Sequence, residues 1–563
     1  MKRRRALALM LGTVSTGLLA ACSTGGAPAT GAPATVAAKP AAAATTAPTA
    51  PPQPTTVPAP QPTTVAAPAA TQAVAQPGPT AAQAQPKSGG TLRAALQADL
   101  PNVDPHYNAP SSYDALWVVF DRLIYMDSKL QPQPMLAESW DVSPDYKQVT
   151  FHLRKGVQFS TGRELTSEDV KYNLMRVRDP KVGAGGWVAF SNWWTIDTPD
   201  KYTITLNSDM PRPLVFDNLE TFNICDRETA EGPNAKSQAV GTGPFILKEW
   251  AQGDHISLVK NPNYWQTGRP FLDAIEYKIL PDAQTMVAQF EAGALDMALN
   301  PPLQDAGRLK SDPQYQVVTN PLTGRYYTAG WNVATPPLND KRVRQALNYA
   351  MNRQRFADSV LLGLSRPITL PWIPSSPAYE ADKANYFSFD LEKARSLLAE
   401  AGAGQFSMEY LISPNFPELS SFGQIYQADL ATIGVTLTIK QAESAAFFDA
   451  INNRKYPGVF AITSARANLA PGITILATQG FNPDTNNEGF SSETYSQLAQ
   501  AMATETDAAK QKQIYSKMND LLVDEAFAVA IASASPRMLL KANVQGLDYT
   551  MHEGFVWTNV WMA

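Results

Sequence analysis

Mixed α/β lobes, at least two of them, are what the sequence predicts. Helical and strand periodicities alternate along the chain, and several helical runs feed directly into strands, the pattern of mixed α/β layers. The 475 residues from Gly89 to Ala563 have ordinary globular composition, and that is more chain than one hydrophobic core serves.

Taken in order, the first element lies outside that body. Lys2, Arg3, Arg4 and Arg5 precede an apolar run from Ala6 to Ala20, the layout of a secretory signal and too short to span a bilayer. The run ends in Leu19-Ala20-Ala21-Cys22, which resembles the bacterial lipobox, so residues 1–21 read as a signal peptide and Cys22 as the lipidated first residue. Residues 22–88 then form a tether. From Ser23 to Ser88 the chain is almost wholly Ala, Pro, Thr, Gln, Val and Gly, with no acidic or aromatic residue from which to build a core. Its fourteen prolines favour an extended, semi-rigid spacer of about 3.1 Å per residue.

Within the body, Val149, Phe151 and Leu153 alternate with polar neighbours, and Tyr202, Ile204 and Leu206 repeat the pattern, which marks two half-buried strands. Thr166 stands three residues before Asp169 as a capping box, with Val170, Leu174 and Val177 on one helical face. A helix follows Asp340, with Val343, Leu347 and Ala350 inward and Arg342, Arg344 and Asn348 expected outward. Leu391 to Ala401 ends at Gly402, and a helix ending near Gly434 leads into the strand Val435, Leu437, Ile439.

Charge and cysteine content narrow the function. The chain carries a net charge of −5, and cleavage before Cys22 removes four of its 46 basic residues, leaving 42 against 51 acidic ones. That balance argues against a nucleic-acid partner. Cys225 is the single other cysteine, so stability rests on core burial rather than on an internal disulfide. Four scattered histidines form no HExxH spacing, and neither a GxSxG elbow nor a Walker loop occurs. Gly241-Thr242-Gly243-Pro244 lacks the third glycine of a dinucleotide fingerprint, and its proline removes an amide that a phosphate loop would use. Neither catalytic residues, a metal site nor a cofactor is expected.

Several segments in succession carry a resemblance. They are Gly89-Gly90-Thr91-Leu92-Arg93 with Asp104-Pro105-His106; Leu136-Ala137-Glu138-Ser139-Trp140; Phe151 through Phe159; Thr166-Ser167-Glu168-Asp169-Val170; Gly241-Thr242-Gly243-Pro244-Phe245; Asn261-Pro262-Asn263-Tyr264-Trp265; and Asn332 with Asp340 and Val343-Arg344-Gln345-Ala346-Leu347. In order and spacing the body resembles the family 5 extracellular solute-binding proteins, the peptide, nickel and oligosaccharide binders of ABC importers. The resemblance implies a two-lobed, periplasmic-binding-protein-like α/β fold with mixed sheets, an extra subdomain in lobe one and a hinge of two crossing segments. Lobe one is expected at 89–327 with a return at 531–563, lobe two at 328–530, and the crossings near Tyr326 to Gly330 and Ala528 to Ala532. It also implies a small organic ligand held between the lobes, ABC permease subunits as partners, and no enzymatic step. Membrane attachment would come through the lipid at Cys22.

Peptide binders of that family carry Trp-x-x-Asp-Tyr-x-x-Pro, whose aspartate pairs with the ligand's α-ammonium. The corresponding run here is Ser464-Ala465-Arg466-Ala467-Asn468-Leu469-Ala470-Pro471, with Ala467 at the acidic position. An ammonium buried without a carboxylate is costly, which argues against a free peptide N-terminus in the usual place. Arg466 offers either a fork for a carboxylate or phosphate, or an ordinary solvated side chain. Eleven tryptophans invite aromatic stacking, although most in a body this size serve as core. Trp331 and Trp372 stand out for their nearness to the hinge and to the loop of Pro367, Pro371 and Pro374. Tyr107, Asn108, Trp331, Trp372, Arg466 and Asn468 are therefore the candidate ligand contacts. Two other readings of the same chain are a ligand-sensing or chaperone-like lipoprotein without transport, and an exported hydrolase.

Overall fold

The structure, a computed structural model, describes residues 85–107, 115–127, 129–184, 187–320, 323–465, 470–549 and 555–563. The expected signal peptide and Cys22 lie outside them, as does nearly all of the expected tether.

Two mixed sheets organise the body. The larger has seven strands in the order Phe245–Ala251, His255–Lys260, Ala274–Ile279, Thr91–Leu96, Met297–Leu299, Arg537–Lys541 and Tyr315–Thr319. Thr91–Leu96 runs parallel to both of its neighbours, and the outer pairings are antiparallel. The second sheet has five strands, ordered Val435–Gln441, Phe406–Ile412, Val459–Ser464, Tyr326–Trp331 and Ala528–Ser533, and is likewise mixed. A third sheet, of four antiparallel strands, is ordered Ala137–Val142, Gln148–Leu153, Thr203–Asn207 and Thr195–Asp200. Among the described residues no helix is long and apolar enough to cross a membrane.

Local chemistry explains the elements. In Gln148–Leu153 the alternation is complete, with Val149, Phe151 and Leu153 buried and the residues between them not. Ser167–Arg176 starts on a two-way capping box between Thr166 and Asp169, and Asp169 also takes the fork of Arg163, which reaches Asp226 on its other side. Asp340 caps Lys341–Tyr349 as expected. Two residues expected outward on that helix are buried instead. The Arg344 guanidinium donates to the Leu338 and Glu525 carbonyls and to the Glu525 carboxylate, and Asn348 accepts from Arg353 while donating to Arg344 O. A buried charge is tolerated where its donors are used up in this way.

The chain leaves the seven-stranded sheet after Thr319 and enters the five-stranded sheet at Tyr326, and it returns between Ser533 and Arg537. The segments expected as crossings, near 326–330 and 528–532, are instead adjacent antiparallel strands of the five-stranded sheet, buried along their whole length. Their backbone groups are committed to the ladder, so the freedom to turn falls just outside it. There Ala534 N–H donates to Arg325 O at 2.9 Å, which holds the two crossings side by side.

Candidate functional site

The surface of interest is the junction between lobe one and lobe two beside these crossings. On the lobe-two side the ladder of Tyr326–Trp331 and Val459–Ser464 ends with Tyr326 opposite Ser464. The chain then reaches Ala470 and the short helix Pro471–Ala477. On the lobe-one side the helix Val215–Leu219 presents Asp217, whose Oδ1 accepts the Ala470 N–H at 2.7 Å. Burial pushes the Asp217 carboxyl up to about 6, with the Ala470 amide acting in the opposite direction. Tyr515 of the lobe-two helix Ala508–Glu525 feels the same group. Its phenol is pushed up to about 12, by burial first and by the Asp217 charge second.

One turn on, Glu220 is fully enclosed. Its Oε2 accepts the Met126 N–H at 2.6 Å, Oε1 stands 3.8 Å from Arg122 Nη1, and burial pushes it up to about 7 against the pull of that cation. A second bridge between the lobes lies just past the 534–536 crossing. Arg537, at the start of its lobe-one strand, approaches Glu418 of lobe two at 3.9 Å.

Tyr107 follows the opening loop, is 41% exposed, and has its ring against Gly183. Trp331 and Trp372 are both enclosed within lobe two. The Trp372 indole N–H is used on Asn519 Oδ1 at 2.7 Å, whereas the Trp331 N–H meets no acceptor among the described residues. Asn108, Arg466, Asn468 and the departing position Ala467 lie outside the described residues. Asp217 and Arg537 escaped the sequence reading because each acts through a partner far away in the chain.

Among the described residues the cysteine and the histidines are held in structural settings. The Cys225 thiol is buried beside Asn173 Oδ1 and pushed up to about 12 by desolvation, far from the thiolate that nucleophilic chemistry needs. His106 is locked in a structural network, while His152 and His255 pair with exposed Asp141 and Asp254. Among the described residues no group of three or more His, Cys, Asp and Glu side chains is placed to hold a metal ion. Gly241 and Gly243 lie on the backbone of residues 118–120, and the Gly243 amide is spent on Val119 O, so this loop serves packing.

Comparison with known proteins agrees with this architecture. Heme-binding protein A of Haemophilus influenzae is 32% identical over 361 residues, which span 58% of this chain but only 64% of that protein's length. Glutathione-binding protein GsiB of Salmonella choleraesuis is 29% identical over 424 residues, 72% of this chain and 81% of the relative. Among solved structures, the binding protein AgaA of A. tumefaciens R10 in complex with agropinic acid matches with a TM-score of 0.67 and 27% identity, over 84% of this chain and 99% of that one. Residues 131–485 match the profile described as bacterial extracellular solute-binding proteins, family 5 middle. A two-lobed body of mixed sheets is what such a binder needs, and with that profile covering more than half of its length the chain belongs to family 5 of the bacterial extracellular solute-binding proteins.

Proposed function

We propose that the chain is the capture component of an ABC importer, exported by its N-terminal signal, lipidated at Cys22 and held off the membrane by the 22–88 tether. The observation that carries the importer reading is the double passage between two rigid sheets through two short, neighbouring segments, in a chain of this family. Such a connection lets one lobe rotate on the other while each sheet stays intact. A solute touching both lobes binds the shut form better and shifts the balance by that difference in affinity, which gives the permease a shape to read.

The ligand we propose is a small organic solute bearing a carboxylate. Glutathione and agropinic acid, named for two of the relatives, are of this class, and heme bears carboxylates as well. Arg366 supports it. Its backbone is bonded to Ser533 at the end of lobe two's last strand, and its part-buried guanidinium donates to Trp372 O at 3.3 Å with no ion pair to a carboxylate among the described residues. Tyr107, Asn108, Arg466 and Asn468 remain the proposed further contacts.

The test is a thermal-shift screen of the whole chain against glutathione, hemin, agropinic acid, free and N-acetylated short peptides, and neutral oligosaccharides. A ligand binding only the folded state raises the midpoint by an amount that follows its concentration. We expect a saturable rise with a carboxylate-bearing solute. A response to neutral sugars alone would remove the carboxylate assignment, and chemical turnover of the binding solute would replace capture with catalysis. In the producing cell, wild type should fractionate with membrane and Cys22→Ser should not; equal partition would sink the anchor.

A further inference from the structure

The helix Leu303–Leu309 of lobe one packs toward both lobes. Leu309 is buried in a lobe-one cluster with Phe290 and Leu539. Leu303, on the same helical face as Gly307 and one turn before it, is buried in the apolar cluster that holds Tyr327, Phe356 and Leu361 of lobe two. Gly307 interrupts the helix with the residue that, after proline, favours helix least. Its backbone supplies no reason for glycine, because its φ is not left-handed. What glycine allows there is a close approach: a Cβ would lie 2.6 Å from Leu362 Cδ1 of lobe two.

Leu362 goes against local preference from the other side. The chain makes one turn of π-helix over Phe356–Val360, with the Leu361 N–H donating to Phe356 O at 3.0 Å. It then reverses through two left-handed residues, Leu362 at φ 53° and Gly363 at φ 67°. Glycine or asparagine is the usual choice at such a helix end, and a leucine held there is strained. Nor does the core of lobe two call for this leucine, which is 38% exposed. Both exceptions meet at one contact between the lobes.

We propose that Leu362 and Gly307 are positioning residues, a knob in a notch, that set the angle at which lobe two meets lobe one and so tune solute capture from outside the cleft. This rests on the hinged reading above. The notch lies close to the crossings, since Arg537 Nε stands 3.5 Å from Pro301 O, two residues before the helix. A shift the size of a methyl group beside the hinge is magnified with distance from it. At Asp217 and Ala470 the lobes already touch at 2.7 Å, so a wedge in the notch can only part them there.

Hydrogen–deuterium exchange of the whole chain, without ligand, reads that distant junction through the Ala470 amide. The proteins are wild type, Gly307→Ala, Leu362→Gly and the double variant, with peptides from the strand Phe406–Ile412 as the reference for global unfolding. Alanine favours the helix but adds the methyl group that Leu362 must give way to. Glycine relaxes the left-handed turn but removes the knob. Each change therefore helps its own element, and a role confined to one lobe would leave exchange at Ala470 unchanged or slower. We expect that exchange to quicken at least several-fold in each single variant, and Gly307→Ala to add nothing once residue 362 is glycine. A wild-type rate at Ala470 in Leu362→Gly, or effects that multiply in the double variant, overturn the assignment while leaving the hinge in place. Exchange at Ala470 as slow as that of Phe406–Ile412 in all four proteins means that the lobes do not part, which overturns the closure reading and this inference with it. Leu362→Gly introduces no clash, so it decides the matter by itself if Gly307→Ala fails to fold.

Discussion

His106 sits in a cage that only its neutral form satisfies. Its ring stacks on Phe222 with centroids 5.0 Å apart, Nε2 faces the Asn223 carbonyl at 3.0 Å, and Nδ1 faces Arg176 Nη1 at 2.9 Å. A guanidinium can only donate, so Nδ1 must accept and Nε2 must carry the single proton. Desolvation is the main cause that brings the imidazole down to about 4; the Asp104 charge opposes the shift and the Arg176 charge adds to it. Burial also works against ionised Asp104, but the fork from Arg176 outweighs it and leaves that carboxyl below its usual range. The folded chain thus refuses a proton that the unfolded chain accepts near pH 6.5, so stability is full above that value and falls as pH drops toward 4. His106→Gln can donate to Asn223 and accept from Arg176 without titrating. In urea melts at pH 7 and pH 4.5, wild type should lose about 2 kcal/mol more than the variant; equal losses would mean that His106 is protonated in the fold.

At the scale of elements, legibility tracks how local the cause is. The Gln148–Leu153 strand and the capped helices at Thr166 and Asp340 follow from windows of a few residues, and their burial matches the periodicity. Arg344 and Asn348 broke that rule because their partners, Glu525 and Arg353, come from other elements. The crossings were displaced by a few residues for a similar reason. Tyr326–Trp331 reads as a connection until its ladder partners on both sides are known, and a Cβ at Gly330, near its end, would crowd Glu488 Oε1 at 2.1 Å and the Phe460 ring at 2.7 Å, neighbours far away in the chain. Gly243 has the same character: a Cβ would meet Val118 O at 2.4 Å, so the glycine-rich run is a close-packing device rather than a phosphate loop. Asp217 was least legible of all, since its helix reads as an ordinary amphipathic turn and its partner amide is 253 residues away.

For the whole molecule, the decisive feature is that lobe one is closed by the end of the chain. Arg537–Lys541 lies between Met297–Leu299 and Tyr315–Thr319, inside the seven-stranded sheet rather than on its edge. The same return brings Met538, Leu540, Val544, Phe555, Trp557 and Val560 into the lobe-one core, all of them buried. At about 1.5–3 kcal/mol for each large apolar side chain enclosed, their removal costs about as much as the 5–15 kcal/mol that holds a typical domain together. Lobe two differs, because all five strands of its sheet, and the helices Lys341–Tyr349, Pro417–Ala431 and Ala508–Glu525, fall within one unbroken stretch of chain from Tyr326 to Ser533. A chain ending at Ser533 should therefore lose lobe one and keep lobe two. Limited trypsin digestion read by mass spectrometry separates the outcomes: we expect rapid cleavage around Arg93, Lys260 and Lys278, which the seven-stranded sheet otherwise shields, with the 326–533 region surviving as a resistant fragment. Protection of the lobe-one sites in the shortened chain would show that the returning strand is dispensable. Rapid cleavage on both sides would show that lobe two draws its stability from the junction at Asp217 and Arg537 and does not stand alone, in which case opening of the cleft and unfolding of lobe two would be coupled events.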